Sequence, residues 1–213
     1  VYTYNGKVQK PSVTVKDSTG KRLKAGADYT VNYPKGRKAV GRYGVQVKLK
    51  GRYKGSRTVY FTVKPKGTSI SKVTGGKKKI TVTWKKQTAQ TTGYQIQYST
   101  SSNFKNAKTV TVSKNSTTKK TITGLKNGKK YYVRVRTYKT VKTGRKSTKY
   151  YSSWSKSKTT GTAKKSAPKG NTVYVSPTGK KYHYIKSCAG KHPIKTTLKE
   201  AKKNHTPCKK CAM

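Results

Sequence analysis

Short runs of alternating apolar and polar residues recur along the first part of this chain. In a strand, side chains that face a common core fall at every second position. Four such runs lie in residues 1–64, at Val13–Val15, Tyr29–Tyr33, Val45–Leu49 and Val59–Val63. Turn-forming residues, such as those from Asp17 to Gly20, separate the runs. Strands that follow one another about every ten residues are typical of an all-β sandwich.

A second stretch with the same period covers residues 66–162. Its alternating apolar positions are Ile80, Val82 and Trp84, then Tyr94, Ile96 and Tyr98, then Tyr131, Val133 and Val135. The spacing from Leu125 to Tyr131 also fits a tyrosine corner, in which a phenol hydroxyl bonds to backbone upstream of it. The pattern therefore predicts a second sandwich after the first.

Both stretches resemble known domain families. The sequence A-D-Y-T-V-N-Y at 27–33, followed by G-R-Y-G at 41–44, resembles the immunoglobulin-like repeats of secreted and surface proteins in Gram-positive bacteria. The second stretch, with Y-Y-V-R-V-R-T-Y-K at 131–139 and Trp154-Ser155 near its end, resembles a fibronectin type III domain. These resemblances imply stalk or binding modules that are secreted or lie at the cell surface.

The last residues of the chain hold all of its cysteines. Cys208 and Cys211 form a C-x2-C pair, a spacing that lets two thiolates bind one ion, while Cys188 and His183 lie upstream. These four residues form a tetrahedral Cys3His set, which is typical of a structural zinc site. A disulfide scheme leaves one of the three cysteines over, and a segment this short usually needs a metal or disulfide for stability.

Two alternatives to this site stay open at the sequence level. They are a Cys208–Cys211 disulfide with a free Cys188, and a reduced domain without metal. A helix is expected between the ligands, because Thr197 and Glu200 fit a capping box ahead of L-K-E-A-K-K, with its end at Asn204.

The same segment resembles a small zinc-binding module at the ends of many secreted bacterial proteins, some of them nucleases, and distantly the zinc domain of the Ada DNA-repair protein. The resemblance places the ligands at His183, Cys188, Cys208 and Cys211. This chain has Asn204-His205 where Gly-Tyr usually precedes T-P-C. His205 or His192 therefore competes with His183 for the fourth ligand position.

Together these patterns predict a mainly β chain with two antiparallel β-sandwich modules in tandem and a small α+β zinc-binding domain. The expected immunoglobulin-like module covers residues 1–65 and the fibronectin type III domain residues 66–162. Residues 163–170 have the composition of a linker, and residues 171–213 form the zinc-binding domain. The shorter junction after the first module predicts that the two sandwiches lie closer together than the third domain.

Charge changes the functional picture more than any motif. The chain has 53 Lys and Arg residues against 3 acids, which gives a formal net charge of +50. A polyanion is the expected partner class, and teichoic acid, an anionic glycan and extracellular DNA all fit. Because lysine greatly outnumbers arginine, diffuse charge neutralisation is favoured over bidentate recognition of a phosphate or base. The alternative is that lysine only keeps an extracellular chain soluble.

The residue inventory argues against an enzyme. Paired-carboxylate catalysis needs two acids in one site, and the three acids, Asp17, Asp28 and Glu200, are spread along the chain. Every histidine lies in the last 43 residues, so a Ser-His-Asp set would have to span modules. The sequence has no apolar stretch long enough to span a membrane. Since the chain begins inside a strand-like run, we expect a monomeric C-terminal piece of a longer protein.

One strand carries a candidate ligand-binding face. If Tyr131, Val133 and Val135 face the core, then Tyr132, Arg134, Arg136 and Tyr138 face outward. Alternating aromatic and guanidinium groups suit stacking on sugars or bases. The same pattern also arises from packing between neighbouring strands.

Three functions remain open from the sequence. The first is a non-enzymatic adhesion or anchoring module that binds anionic polymers. The second is a passive spacer of a larger cell-wall or secreted enzyme. The third is nucleic-acid binding through the C-terminal zinc domain.

Overall fold

The computed structural model describes residues 1–162 and 172–211. The fold is mainly β, as predicted, with several sheets in sandwich-like arrangements and, among these residues, one short α-helix. The chain forms two compact units: Val1–Thr74, Thr81–Thr121 and Tyr131–Thr160 make the first, and Gly75–Ile80, Ile122–Lys130 and Gly161–Met213 make the second. No helix among the described residues is long and apolar enough to cross a membrane. The predicted linker, residues 163–170, lies outside the described residues.

The first module is built on one four-stranded sheet. Its strands are β1 (Tyr2–Thr3), β2 (Tyr29–Asn32), β3 (Gly41–Leu49) and β4 (Ser56–Lys64), in the order β1-β4-β3-β2. Strand β1 runs parallel to β4, whereas the β2–β3 and β3–β4 pairs are antiparallel. Its first buried cluster is Val45, Phe61 and Val63, with the Tyr2 and Tyr43 rings against Phe61.

The segment before β2 is irregular, so the strand expected at Val13–Val15 is wrong. Val13 and Val15 are nevertheless half-buried, and they pack against the cluster of Leu23, Tyr29 and Val47. The segment is fastened by side chains instead of a strand ladder, because the Tyr29 hydroxyl donates to the Val13 carbonyl at 3.0 Å. The alternating pattern was correct about the burial of Val13 and Val15, but these residues do not pair regularly with a neighbouring strand.

The second sandwich contains two sheets. One holds β5 (Ile70–Gly76), β6 (Lys79–Trp84) and β9 (Lys119–Ile122), in the order β5-β6-β9; the other has the order β11-β10-β7-β8, with β12 also paired to β10. Its strands are β7 (Gly93–Ser99), β8 (Lys108–Val112), β10 (Lys130–Thr143), β11 (Lys146–Tyr151) and β12 (Lys158–Gly161). The predicted core positions are buried, and Trp84 and Tyr94 lie with their ring centroids 5.2 Å apart.

The C-terminal segment forms a small α+β fold. Strands β13 (Thr172–Val175), β14 (Lys181–His183), β15 (Ile194–Thr197) and β16 (Thr206–Pro207) make a sheet of order β15-β13-β14-β16, with the helix α1 (Leu198–Asn204) between β15 and β16. The helix ends at Asn204 as predicted, and the Thr197 hydroxyl accepts the Glu200 amide at its start. Its core consists of Val173, Val175, Tyr182 and Ala201.

Candidate metal centre

Four turns and strand ends bring the predicted ligands to one place. His183 ends β14, Cys188 ends a 3₁₀ turn (Lys186–Cys188), and Cys208 follows β16. The Cys208 amide donates to the Tyr182 carbonyl at 3.0 Å, which fixes the start of the C-x2-C turn beside β14. The Cys211 amide then donates to the Cys208 carbonyl at 3.2 Å and closes that turn.

The resulting cluster has the dimensions of a tetrahedral site. The ligand atoms of His183, Cys188, Cys208 and Cys211 all lie within 4.8 Å of one another. The sulfurs of Cys188 and Cys208 are 3.8 Å apart, and the Cys211 sulfur lies 3.7 Å from His183 Nδ1. With Zn–S near 2.3 Å and Zn–N near 2.0 Å, tetrahedral angles put two sulfurs about 3.8 Å apart and a sulfur and nitrogen about 3.6 Å apart. These four residues can therefore hold one metal ion.

The three thiols are not joined by disulfide bonds and are free to bind a metal ion. All three cysteines are free, and Cys208 and Cys211 are buried while Cys188 is half-buried. The sulfurs of Cys188 and Cys208, 3.8 Å apart, are much farther apart than the S–S bond length of about 2.05 Å. A Cys208–Cys211 disulfide with a free Cys188 differs from this arrangement, in which all three cysteines are free.

Local electrostatics favour a neutral imidazole at His183 and act in opposite directions on the Cys188 and Cys208 thiols. Burial and, to a smaller extent, Lys181 lower the pKa of His183, which keeps the ring unprotonated at neutral pH. Burial raises the pKa of the Cys188 thiol to about 11, and the hydrogen bonds that this thiol donates to Cys211 and Cys208 add to this effect. Burial also opposes ionisation of Cys208, but hydrogen bonds from the Lys210 amide and the other thiols outweigh it and lower its pKa.

The other histidines do not join this cluster. Among the described residues, the group of converging ligand atoms includes His183 and neither His192 nor His205. His192 is exposed. His205 caps the end of α1 with its backbone amide, and its buried Nδ1 has no hydrogen-bond partner within residues 1–162 and 172–211.

Lysines surround the mouth of the cluster. An open cavity of about 540 Å³ adjoins the thiols, and its lining includes Lys181, Lys209 and Lys210. A divalent ion with three thiolates and a neutral imidazole carries a net negative charge. The lysines would therefore compensate the charge of a filled site, and they also give this end of the domain a positive surface.

The second candidate face is more internal than the sequence suggested. Tyr132, Arg134 and Arg136 are half-buried on the outward side of β10, but Tyr138 is buried, at 3% exposure. The Tyr138 ring lies 6.2 Å from the Tyr151 ring of β11, which covers it. Tyr138 is therefore not exposed to a ligand, and the assignment of these four residues to a ligand-binding face stays a prediction.

Both arginines of this face stack between aromatic rings. The Arg134 guanidinium lies 4.0 Å from the Phe104 centroid and 4.9 Å from that of Trp154, and Arg136 lies 4.0 Å from Tyr151 and 4.2 Å from Trp154. Burial lowers the pKa of each guanidinium. Their planar faces are thus occupied by this protein's own rings.

Glutamines of β7 complete this stack. Gln97 Oε1 accepts from Arg134 Nε at 2.7 Å, and Gln95 Oε1 accepts from Nε and Nη2 of Arg136 at 3.0 and 2.7 Å. The β7–β10 register sets Gln97 opposite Arg134 and Gln95 opposite Arg136. Sequence reasoning missed these partners, although the alternation of Gln with apolar residues in β7 is visible once the register is known.

Comparison with known proteins identifies the second sandwich. Residues 63–153 match the sequence profile of the fibronectin type III domain. This matched stretch overlaps the region for which the sequence predicts a fibronectin type III domain. No curated protein matches the chain.

Several solved structures resemble the chain. The FN1-FN3 domains of chicken CNTN1 are 23% identical, with a TM-score of 0.41 over 59% of this chain. A two-domain fibronectin type III segment of chicken tenascin is 24% identical, with a TM-score of 0.37 over 58% of this chain, and a myokine structure is 14% identical, with a TM-score of 0.35 over 46%. The chain covers 44% of the CNTN1 fragment, 66% of the tenascin segment and 95% of the myokine.

Proposed function

We propose that this chain is a non-enzymatic, extracellular adhesion or anchoring module that binds anionic polymers. Teichoic acid, anionic glycans and extracellular DNA are the ligand classes that its charge fits. The supporting observation is the exposure of its lysines, since Lys64 and Lys139 are the only described lysines that are half-buried and the others are exposed. Fibronectin type III domains fit adhesion and spacer roles, and the first module resembles bacterial immunoglobulin-like repeats.

The few acids do not neutralise this surface. Asp17 accepts hydrogen bonds from the Thr19 amide and hydroxyl and from the Lys21 amide, and Asp28 accepts from the Lys24 amide. Glu200 pairs with Lys203 at 3.1 Å, the only ion pair in the part of the chain that the structure describes. Within residues 1–162 and 172–211, nearly all of the positive charge therefore faces solvent and its counterions.

The contacts that Arg134 and Arg136 already make with aromatic rings support a diffuse mode of binding. Because Arg134 and Arg136 are stacked between rings and lysine greatly outnumbers arginine, lysine ammonium groups supply most of the charge that a ligand meets. Ammonium groups act as point charges without a fixed geometry. We therefore propose that charge density, and not the chemical identity of the polymer, governs affinity.

The metal in the C-terminal cluster is, in this proposal, a structural zinc ion. A closed Cys3His set leaves no coordination position open for substrate or water. The ion would be held by His183, Cys188, Cys208 and Cys211. It would cross-link the segments that carry them and add its charge beside a core of only a few apolar residues.

A second candidate function is nucleic-acid binding centred on the zinc domain. The observation in its favour is the group of Lys181, Lys209 and Lys210 around the cluster. A passive spacer role for a larger cell-wall or secreted enzyme is the remaining alternative. It requires no ligand at all.

Salt dependence of binding tests the main proposal. The zinc-loaded chain would be titrated with duplex DNA, heparin and teichoic acid between 50 and 200 mM salt. Contact with about six phosphates of DNA predicts a log–log slope near −5, or about a thousandfold loss of affinity over that range. Similar affinity for polymers of equal charge density supports a diffuse surface, and no binding to any of them at low salt contradicts the proposal.

Charge removal at the cluster separates the second candidate from the first. The variant changes Lys181, Lys209 and Lys210 to Gln, and its matched control changes three exposed lysines of the second sandwich. The control positions are Lys105, Lys108 and Lys114. Equal losses in both variants support a diffuse surface, whereas a loss confined to the first variant supports the zinc domain as the binding site.

A further inference from the structure

Strand β4 leaves most of one edge without a partner. Strand β3 pairs with it from Ser56 to Val63, whereas β1 pairs with it only at Val63 and Lys64. No other strand in residues 1–162 and 172–211 pairs with β4. The Tyr4 amide donates to the Lys64 carbonyl at 2.8 Å, so the backbone groups of Lys64 point toward this outer edge.

Alternation along the strand identifies which backbone groups are exposed there. Amide and carbonyl groups of successive residues point to opposite edges of a strand. The groups of Thr58 and Tyr60 therefore point outward with those of Lys64, and those of Val59 and Phe61 point toward β3. The side chains of Thr58 and Tyr60 are exposed as well. The edge thus presents a row of donors and acceptors that can bind another strand.

An apolar groove lies beside this edge. It has a volume of about 420 Å³, and Val13, Val15, Val47, Leu49 and Val59 contribute its apolar lining. Val59 is 38% exposed, although its neighbours in the alternation, Phe61 and Val63, are buried. A strand added to a sheet edge places every second side chain on the inner face. Those side chains would enter this groove, and the backbone would pair with β4.

Charges around the groove select the partner. Lys16, Lys54 and Arg57 line it and are exposed. The nearby carboxylate of Asp17 is turned toward Thr19 and Lys21 of its own turn. Acidic side chains next to the apolar ones would therefore be attracted. A second copy of this chain, at +50, would be repelled.

We infer that the β4 edge and its groove bind an extended segment of an acidic protein chain, in which apolar and acidic residues alternate. This site is independent of the polyanion-binding surface, because it depends on backbone pairing and on the groove. Its occupant is a polypeptide, and a polyanion without backbone amides does not satisfy it.

Amide hydrogen exchange in the full chain tests this inference. The probe is a short, capped peptide of alternating valine and glutamate. In the free protein the Thr58 and Tyr60 amides should exchange fast and those of Val59 and Phe61 slowly. With the peptide bound, exchange at Thr58 and Tyr60 should slow at least about tenfold. Fast exchange at both residues in the presence of saturating peptide would overturn the inference, as would slow exchange in the free protein.

Matched variants and probes separate strand pairing from charge attraction. Thr58→Pro removes an outward amide, which an edge strand tolerates, and should weaken peptide binding at least about tenfold, whereas Thr58→Val keeps the amide and should bind like the wild type. Poly-glutamate of equal charge and a peptide N-methylated at alternate amides should bind at least about tenfold more weakly. Equal binding of these probes, or equal binding by both variants, would overturn the inference. Protection that rises with protein concentration without peptide would assign the edge to a second copy and overturn it too.

If Thr58→Pro unfolds the module, Val59→Glu gives a second variant. It places a negative charge at the exposed groove wall and leaves every backbone donor in place. It should lower affinity for the valine–glutamate peptide at least about tenfold with an unchanged melting temperature. Unchanged affinity would overturn the inference.

Discussion

The guanidinium carbon of Arg136 lies 4.2 Å from the ring centroid of Trp154. Serine side chains hold the segment that carries this tryptophan, because the Ser155 hydroxyl accepts the Val135 amide at 3.0 Å and the Ser152 hydroxyl accepts the Thr137 amide at 3.1 Å. Trp154 is therefore fixed over β10, in position to meet both arginines of that strand.

This stacking predicts that Arg136 matters for stability more than for ligand binding. Arg136→Lys keeps the charge but loses the planar contacts with Tyr151 and Trp154 and the two bonds to Gln95. We expect the free energy of unfolding to fall by about 1–2 kcal/mol, measured by urea denaturation. Arg145→Lys, at an exposed position, is the control and should change it by less than about 0.5 kcal/mol. Loss of DNA binding with unchanged stability would instead identify a ligand site.

The C-terminal domain should fold only with metal. Elemental analysis should find one zinc per chain, and chelation should unfold residues 172–211 while the two sandwiches keep their NMR signals. Structural zinc sites contribute on the order of 10 kcal/mol, which exceeds what this small core supplies. His183→Ala should abolish zinc binding, and His192→Ala, at an exposed position, should not. A metal-free native domain with a Cys208–Cys211 disulfide would contradict this prediction.

Trp84 should be critical for the second sandwich. It is 2% exposed and lies against Tyr94, so Trp84→Ala should cost about 3–5 kcal/mol. Trp84→Phe should cost less, because the buried indole Nε1 has no hydrogen-bond partner among the described residues and no bond is lost. Thermal and urea denaturation would measure both. A melting curve of Trp84→Ala that matches the wild type would contradict the packing described for this residue.

Gly93 should not accept a side chain. A Cβ atom there would lie 2.1 Å from the backbone carbonyl oxygen of Val112 on β8, so the two strands would have to separate. We expect Gly93→Ala to lower the free energy of unfolding by about 1–3 kcal/mol. Gly67→Ala is the matched control, because its closest contact, at 3.7 Å to the Ser152 hydroxyl, is an ordinary one. Equal stability of the two variants would contradict the strand spacing.

Period-two alternation located the strands well because it reports burial directly. It identified the buried faces of β6, β7 and β10 in the second sandwich, where neighbouring strands complete the ladders. It wrongly predicted a strand at Val13–Val15, because a segment can be buried without pairing to a strand. Whether a segment has a strand partner depends on residues that are distant in the sequence. It did not predict the burial of Tyr138, because the covering ring, Tyr151, comes from the following strand.

The candidate metal ligands could be recognised from spacing, but their convergence could not. The C-x2-C turn is local, whereas His183 reaches it only because β14 and β16 pair in parallel, with Tyr182 beside Pro207. Nothing in the sequence specifies that register. For the same reason, the choice of His183 over His205 required the structure. In the sequence His183 lies close to Cys188, and His205 lies close to Cys208.

The parallel pairing of β1 with β4 also determines how the first module responds to force. Tension along the chain pulls Tyr2 and Lys64 in opposite directions, and the two strands that carry them lie side by side. The strands are then loaded in shear, so the backbone hydrogen bonds between them, including the one from Tyr4 to Lys64, bear the load together instead of breaking in sequence. We expect a module with this arrangement to resist stretching better than its small core alone would allow.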